Sequence, residues 1–414
     1  MLLKRLEPPI QRRDHVVPAM IRKISVTELT VGMFLHEAAG SGITQSLWKA
    51  GFKVQHPVDL ERILASGIAQ VYIDTSKGLD VEPRVAAVLP APDPAVGLQA
   101  EVDQALAVCA RAKRAVASMF NDARLGQAIS NEAAVAVVEE IAASVMRHPH
   151  ALISLARLKT ADEYTYMHSV AVCGLMVALA RQLGQADADV LEAGTAGLLH
   201  DIGKMAIPLD ILNKPGRLTD EEFQVIRAHP LGGLDILRRS GFLSVAAIDV
   251  CLHHHEKYDG TGYPHGLQGE AISPMARMAA ICDVYDAVTS ARPYKKPWGP
   301  AHSLKEMASW KGHFDTHLFQ AFVRTVGIYP VGALVRLASD RLAVVAEQNE
   351  GALLAPRVVL LLDCKRRQLL APQSIDLTTG EDRIVRIEAA EAWGLPELDR
   401  AWSGLAAQRY PLFE

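Results

Sequence analysis

The chain has 414 residues, enough for two or three domains, and half of them are hydrophobic, which argues against wholesale disorder. A formal net charge of −4 excludes the global basic surface that long nucleic acid requires. The five cysteines form no CxxC pair, so neither a disulfide framework nor a zinc ribbon is indicated, and a cytoplasmic location is predicted.

Residues 1–20 contain no continuous apolar stretch and are predicted to be a flexible extension rather than a signal peptide, with Met20 as a second candidate start. Apolar runs such as 170–180 are too short to cross a bilayer, which predicts a protein without membrane insertion.

Residues 21–80 combine short apolar alternations with one short helical segment, which predicts a small α+β regulatory domain without a catalytic cluster. Residues 81–97 carry four prolines and are predicted to be a linker. Apolar residues recur at helical spacing over 98–150, and Asn131 is the predicted N-cap of the second helix there. These linker helices either pair between two chains in a homodimer or pack on the domain that follows.

Residues 151–330 read almost entirely as helix. Thr219 opens one helix with a capping box, and Ser273 provides the N-cap of another. A catalytic domain built as a bundle of about five or more helices is predicted here. Over 331–414, short β-type runs separated by polar turns predict a small β-rich appendage, which makes the whole chain mainly α.

The helical region carries titratable residues on faces that are otherwise apolar. His168 points inward, because Val172 and Leu175 follow it at helical spacing. Asp201 ends a nearly apolar turn, where its buried charge is costly unless a cation pairs with it. The inward set contains five histidines and two aspartates: His168, His200, Asp201, His229, His254, His255 and Asp283.

Two interpretations of this set are open. Each histidine taken alone is more often a core residue bonded to a backbone carbonyl. A metal centre explains the whole set at once, and mixed histidine and aspartate ligands suit transition metals rather than Mg or Ca. Seven ligands are too many for one tetrahedral ion, so we predict two divalent ions bridged by a carboxylate, Fe or Mn before Ni, Zn or Co.

Cations and a tight loop accompany the candidate ligands. Lys204, Arg292 and Lys295 would suit a phosphodiester with two negative charges, although each alone is an ordinary surface charge. In the glycine-containing loop 260–264, Tyr263 either stacks on a base and seals the pocket or anchors the loop.

The motifs over about 160–326 closely resemble the HD-GYP family, a branch of the HD metal-dependent phosphohydrolases. Residues 21–80 resemble, more weakly, the small domain often found ahead of such modules. The matching segments are YT at 164–165 before His168, HDIGK at 200–204, HP at 229–230, HHEKYDGTGYP at 254–264, DVYDA at 283–287 and RPYK at 292–295.

The resemblance implies an enzyme that hydrolyses the bacterial second messenger cyclic di-GMP to pGpG by in-line attack of a metal-bridging hydroxide, and it leaves open whether pGpG is cleaved further to GMP. It also implies contacts with diguanylate cyclases or adaptor proteins through the Gly-Tyr-Pro loop. By motif position, the seven inward residues are metal ligands with Asp201 bridging. The implied catalytic residues are Asp201, Lys204 and Asp286, and the implied substrate-binding residues are Lys204, Tyr263, Arg292 and Lys295.

One position departs from the pattern of some family members. They have a glutamate one helical turn before the first histidine and hold a third metal, whereas this chain has Tyr164 there. We therefore predict two metals, and cleavage of pGpG is less strongly implied. Two rival functions remain: a catalytically weak cyclic di-GMP receptor or adaptor, and a phosphohydrolase acting on another nucleotide. The complete ligand set favours the enzyme.

Overall fold

The structure is a computed structural model of the chain. It describes residues 21–39, 51–64, 70–79, 98–160, 164–241, 244–291, 296–349, 351–380, 382–395 and 398–404. The predicted extension over 1–20, the linker over 81–97, Arg292 and Lys295 lie outside these residues. The chain divides into two compact units, residues 1–86 and 87–414.

The first unit is a small antiparallel sheet with one helix. Its strand order is β1-β4-β2-β3. A small core of its own includes Leu35, Ile63 and Ile73, and this confirms the predicted α+β character. The element bounds are β1 Ile21–Ser25, β2 Phe34–Ala39, β3 Phe52–Lys53, α1 Pro57–Leu64 and β4 Gln70–Asp74.

The second unit is dominated by helices, as predicted. Helix α5 is buried on every side from Met167 to Ala180, which is the pattern of a central core helix. The helices are α2 Leu98–Arg124, α3 Asn131–Arg147, α4 Pro149–Ala156, α5 Tyr164–Gln182, α6 Asp187–Leu199, α7 Leu209–Leu212, α8 Asp220–Arg227, α9 His229–Arg239, α10 Val245–His253, α11 Pro274–Thr289, α12 Pro300–Ser309, α13 Thr316–Val326 and α14 Leu398–Ser403. Among the described residues, no helix combines the length and apolar character that crossing a bilayer requires.

Local capping explains where several helices begin. The capping box of Thr219 with Glu222 is present at α8, and the Ser273 hydroxyl accepts the Ala276 N–H at 3.0 Å at α11. The prediction of Asn131 as an N-cap was wrong by one residue. The Ser130 hydroxyl caps α3 instead by accepting the Ala133 N–H at 3.1 Å.

Helix α2 packs within its own chain. Val102, Cys109 and Val116, which form part of the apolar face recognised in the sequence, are fully buried. Helices α3, α4 and α5 contact α2, so its apolar face contributes to the core of the bundle.

A five-stranded antiparallel sheet follows the bundle, in the order β8-β7-β6-β5-β9. On β6, Val344 joins the main core of the bundle while Val345 joins a separate core of the sheet, so this strand is buried on both faces. The predicted β-rich appendage is confirmed. Its strands are β5 Leu334–Leu337, β6 Arg341–Glu347, β7 Arg357–Asp363, β8 Gln368–Asp376 and β9 Ile384–Ile387.

Candidate metal centre

The seven inward residues of the sequence converge in the interior of the second unit as two groups of ligand atoms. Within each group the atoms lie within 4.8 Å of one another. All of these residues are buried except His255, which is partly exposed. The first group is His168, His200 and Asp283, and the second group is Asp201, His229, His254 and His255.

Three helices position the first group. His168 lies in the first half of α5, Asp283 lies in α11, and His200 follows directly on α6. His168 Nε2 is 3.0 Å from Asp283 Oδ1 and 3.3 Å from His200 Nε2. Packing of α5 against α6 and α11 therefore brings these three side chains to one point.

Helix ends position the second group. His229 is the first residue of α9, and His254 and His255 follow the last residue of α10. His229 Nε2 lies 3.3 Å from His254 Nε2. The backbone also approaches closely here, because a Cβ atom at Gly203 would lie 1.9 Å from the His229 carbonyl oxygen.

Hydrogen bonds on the far side of four rings fix which nitrogen faces the centre. Carbonyl and carboxylate oxygens only accept, so Nδ1 carries the hydrogen and Nε2 is the nitrogen whose lone pair can face the centre. Lone pairs that face each other at 3.3 Å repel unless positive charge lies between them. The Nδ1 bonds run from His168 to Asp286 Oδ2 at 2.6 Å, from His200 to Gly197 O at 2.7 Å, from His229 to Ile226 O at 2.8 Å and from His254 to Val250 O at 2.9 Å.

Asp201 connects the two groups. Its Oδ1 lies 3.4 Å from His229 Nε2 and 3.7 Å from His254 Nε2. Its Oδ2 lies 3.3 Å from His200 Nε2 and 3.5 Å from His168 Nε2. Asp201 Oδ1 is buried without a hydrogen-bond partner, an arrangement that is costly unless a cation satisfies it. The donor set therefore fits a pair of divalent ions that share this carboxylate.

Electrostatics favour the ligand forms of these groups. Burial lowers the pKa of His254 well below its usual value and that of His255 to about 3, so both rings are neutral. At Asp201, burial acts to raise the pKa, but Lys204 and His200 outweigh it and hold the carboxyl ionised. At His200, burial acts to lower the pKa, but the Asp201 carboxylate outweighs it and raises the pKa. This ring thus attracts a positive charge, which a proton or a metal can supply.

Asp286 supports a candidate ligand rather than facing the space between the groups. Its Oδ2 accepts the hydrogen bond from His168 Nδ1, and Lys159 Nζ lies 2.7 and 2.8 Å from its two oxygens. Burial acts to raise the pKa of Asp286, but Lys159 and His168 outweigh it and lower the pKa. Sequence reasoning missed Lys159. The available signal was a lysine that directly follows the largely apolar stretch 151–158, just before the first motif.

The Gly-Tyr-Pro loop is anchored beside the second group. The Tyr263 ring stacks on His255 with ring centroids 4.7 Å apart, and the Arg227 guanidinium carbon lies 4.5 Å from the Tyr263 centroid. Buried Glu256 accepts three backbone N–H groups that follow the loop, those of His265, Gly266 and Leu267, at 2.7, 3.1 and 3.1 Å. Tyr263 therefore helps to hold the loop in place and also contacts the side chain of a candidate ligand.

Two further sequence positions are placed by the structure. Lys204 contacts Asp201 Oδ2, and its side chain is 23% exposed, so the ammonium lies at the edge of the centre. Tyr164 stacks on His168 with centroids 5.2 Å apart and planes 11° apart. Tyr164 therefore presents an aromatic ring, and not a carboxylate, to His168.

Comparison with known proteins gives consistent matches. Residues 136–318 match the family model of the HD domain, and residues 21–134 match a domain of unknown function, DUF3391. The chain is 54% identical over 408 residues to the cyclic di-GMP phosphodiesterase PA4108 of Pseudomonas aeruginosa, which covers 95% of this chain and 99% of that protein.

Two further relatives match a smaller part of the chain. The cyclic di-GMP phosphodiesterase response regulator RpfG of Xanthomonas campestris is 41% identical over 181 residues, covering 41% of this chain and 47% of that protein. The 3'3'-cGAMP-specific phosphodiesterase 2 of Vibrio cholerae is 41% identical over 140 residues, covering 33% of this chain and 26% of that protein.

Proposed function

The chain belongs to the HD-GYP family of HD-domain phosphohydrolases, and from that membership we propose that it is a metal-dependent phosphodiesterase that hydrolyses cyclic di-GMP to pGpG. The observation that carries the proposal is the position of Asp201, which directs one carboxylate oxygen to each group of histidine nitrogens. A relative that is 54% identical over nearly the full length has the same named activity.

The ligand assignment follows the two groups. His168, His200 and Asp283 would hold one ion, His229, His254 and His255 would hold the other, and Asp201 would contribute to both. The mixed imidazole and carboxylate donor set suits transition metals rather than magnesium or calcium. Among these metals, iron or manganese is proposed before nickel, zinc or cobalt. The chemistry that such ions supply when bound is Lewis acidity toward the phosphoryl oxygens and a water of lowered pKa.

The protein's own cations bind the diester. Lys204 lies at the edge of the centre, where its ammonium can contact a phosphoryl oxygen and offset the charge that develops during cleavage. Arg292 and Lys295 are proposed for the same task by motif position. Tyr263 borders the substrate beside His255. Asp286 acts by holding His168 in place.

The proposed end product is pGpG. A third ion would need a carboxylate one turn before His168, and Tyr164 fills that position with a ring that stacks on the histidine. Slow release of GMP from pGpG, relative to the first cleavage, is therefore expected.

A turnover assay on metal-replete protein tests the proposal. Protein loaded anaerobically with Fe(II) or Mn(II) is incubated with cyclic di-GMP, the products are separated by chromatography, and metal content is measured in parallel. We expect about two ions per chain and accumulation of pGpG. Protein that holds its metal and binds cyclic di-GMP tightly without cleaving it would instead be a receptor.

A second substrate has specific support. The Vibrio cholerae relative named for 3'3'-cGAMP is 41% identical over 140 residues, the same identity that RpfG shows over 181 residues. Competition between cyclic di-GMP and 3'3'-cGAMP, read as the ratio of the two kcat/KM values, decides between them. We expect cyclic di-GMP to be preferred, because the relative that matches over nearly the full length is named for it.

Location and protein partners complete the proposal. The five cysteines are free and four are buried, which is typical of a cytoplasmic protein. A diguanylate cyclase or an adaptor would dock at the 260–264 loop. A homodimer through the linker helices would have to use the outer side of α2, since its apolar face is covered within the chain.

A further inference from the structure

A buried lysine lies behind the first ligand group, and sequence motifs do not include it. We propose that Lys159 is a positioning residue that acts through Asp286 to fix the orientation of His168, and that it thereby sets the metal affinity of the first ligand group. The proposal rests on the metal binding proposed above, and it adds a residue and a division of labour between the two groups.

Lys159 is held in one place by contacts that can be named. Only 2% of the residue is exposed, and its Nζ donates to the Ala156 carbonyl at 3.1 Å and to the Asp286 oxygens at 2.7 and 2.8 Å. A buried ammonium is tolerated only when it is paired and hydrogen-bonded. Lys159 bonds both oxygens of Asp286, and the Ser290 hydroxyl also donates to Oδ1 at 3.2 Å, so these contacts hold the carboxylate in one orientation and Lys159 supplies the charged ones.

The fixed carboxylate in turn fixes a ring. Asp286 Oδ2 accepts from His168 Nδ1 at 2.6 Å, which directs Nε2 toward His200 and Asp283. Carboxylate partners of this kind orient metal-binding histidines and increase their basicity. Without Lys159, the carboxylate would gain rotational freedom and His168 would lose its single orientation.

A second set of contacts links the same two residues. Lys159 Nζ lies 5.7 Å from the centroid of the Tyr164 ring, and that ring stacks on His168. The lysine therefore reaches His168 from two sides, through the carboxylate at its edge and through the aromatic ring on its face.

The two ligand groups differ at one ring, since His200 of the first group also donates from Nδ1 to a backbone carbonyl. His229 and His254 of the second group donate from Nδ1 to backbone carbonyls. In the first group, His168 donates to a carboxylate whose charge Lys159 balances. Loss of Lys159 should therefore weaken the first group and leave the second intact.

The test measures metal stoichiometry and not only activity. Lys159→Met removes the charge and keeps the length of the side chain. Wild type and variant are dialysed at graded free Mn(II), bound metal is counted, and the magnetic coupling of paired Mn(II) is followed by electron paramagnetic resonance. We expect the wild type to bind two ions and the variant to bind one as before, with the other weakened by about tenfold or more. The coupled signal should be lost, and kcat should fall far more than KM changes.

Controls separate positioning from simple loss of stability. Arg147→Met removes another ion pair, between partly buried Arg147 of α3 and buried Glu101 of α2, neither of which is a candidate ligand, and it should lower Tm while both ions stay bound. Lys159→Arg keeps the positive charge, so it should bind part of the second ion that Lys159→Met fails to bind. Asp286→Asn should reproduce the one-ion state if Lys159→Met does not fold.

A folded Lys159→Met variant with two ions bound at wild-type affinity would overturn the proposal, and so would an equal loss from both groups. Wild-type protein that binds two ions but does not cleave cyclic di-GMP would refute the proposed function alone. The comparison of Lys159→Met with wild type would still decide the role of Lys159.

Discussion

The two ligand groups of the centre are built in different ways. In the first group two of the three ligands lie inside helices, His168 in α5 and Asp283 in α11, and the third, His200, directly follows α6. The second group depends on helix ends, with His229 at the start of α9 and His255 beyond α10, where its side chain is 25% exposed. Packing of whole helices therefore positions most of the first group, whose ion is called the inner ion because its ligands are all buried. Helix ends and loop contacts position the second group, whose ion is called the outer ion because His255 is partly exposed.

The largest effect should come from the residue that the groups share. Asp201→Asn removes the charge that faces both sets of nitrogens. We expect loss of both ions and a fall in kcat of about a thousandfold, because metal Lewis acidity supplies several kcal/mol. Metal analysis and turnover of cyclic di-GMP measure this. Retention of one ion would show that the groups bind independently and that the carboxylate is not shared.

Single-group variants should separate the two. Asp283→Asn is expected to remove the inner ion and His254→Ala the outer ion, each leaving one per chain and lowering kcat by about a hundredfold. Bound metal per chain, counted for both variants, is the measurement. Loss of both ions in either variant would contradict the division into two groups.

Exchange rates should differ between the groups as well. His255 is the partly exposed ligand, so a chelator in limited excess should remove the outer ion first. Two release phases are expected, with rates that differ by about tenfold, as local opening at loop ends is easier than opening of packed helices. His254→Ala protein serves as the control, because its remaining inner ion should leave in the slow phase only. A fast phase in that variant would contradict the order.

The smallest effect on catalysis is expected at the contact between Arg227 and Tyr263, beside the second ligand group. Arg227→Met removes the guanidinium beside Tyr263, and a cation–π contact of this kind contributes about 0.5–1 kcal/mol. We expect a rise of about two- to fivefold in KM for cyclic di-GMP with metal content unchanged. Arg238→Met, in the last turn of α9, is the matched surface control. Loss of metal in Arg227→Met would mean that the ring stack supports His255 more strongly than the contacts suggest.

The sequence could identify the ligands but not their grouping. His168 was recognisable because a helical period places it on an apolar face, and Asp201 because a buried charge needs a partner. Which histidines lie next to one another depends on the distances between α5, α6 and α11. The helical periodicity of the sequence predicts which face of a helix is buried, but it does not predict those distances. The division of the ligands into two groups could therefore be determined only from the three-dimensional structure.

Other features could not be predicted for equally physical reasons. A lone lysine is ordinarily exposed, so the position of Lys159 after the largely apolar stretch 151–158 was only a weak signal until the packing of α11 showed Asp286 beside it. The amphipathic pattern of α2 predicted a buried face but not what would cover it. At α3, serine and asparagine are both good caps, and their adjacency left the start of the helix ambiguous by one residue.

Gly203 carries a consequence for anyone who would graft this centre onto another scaffold. Its missing side chain lets the turn after Asp201 lie against the backbone of His229, and Gly233 lies at the same contact, where a Cβ atom at 203 would come within 2.4 Å of its nitrogen. A transplant of the seven ligands alone would carry every donor atom and still lose their spacing. In a designed copy, the two glycines would have to be specified together with the ligands.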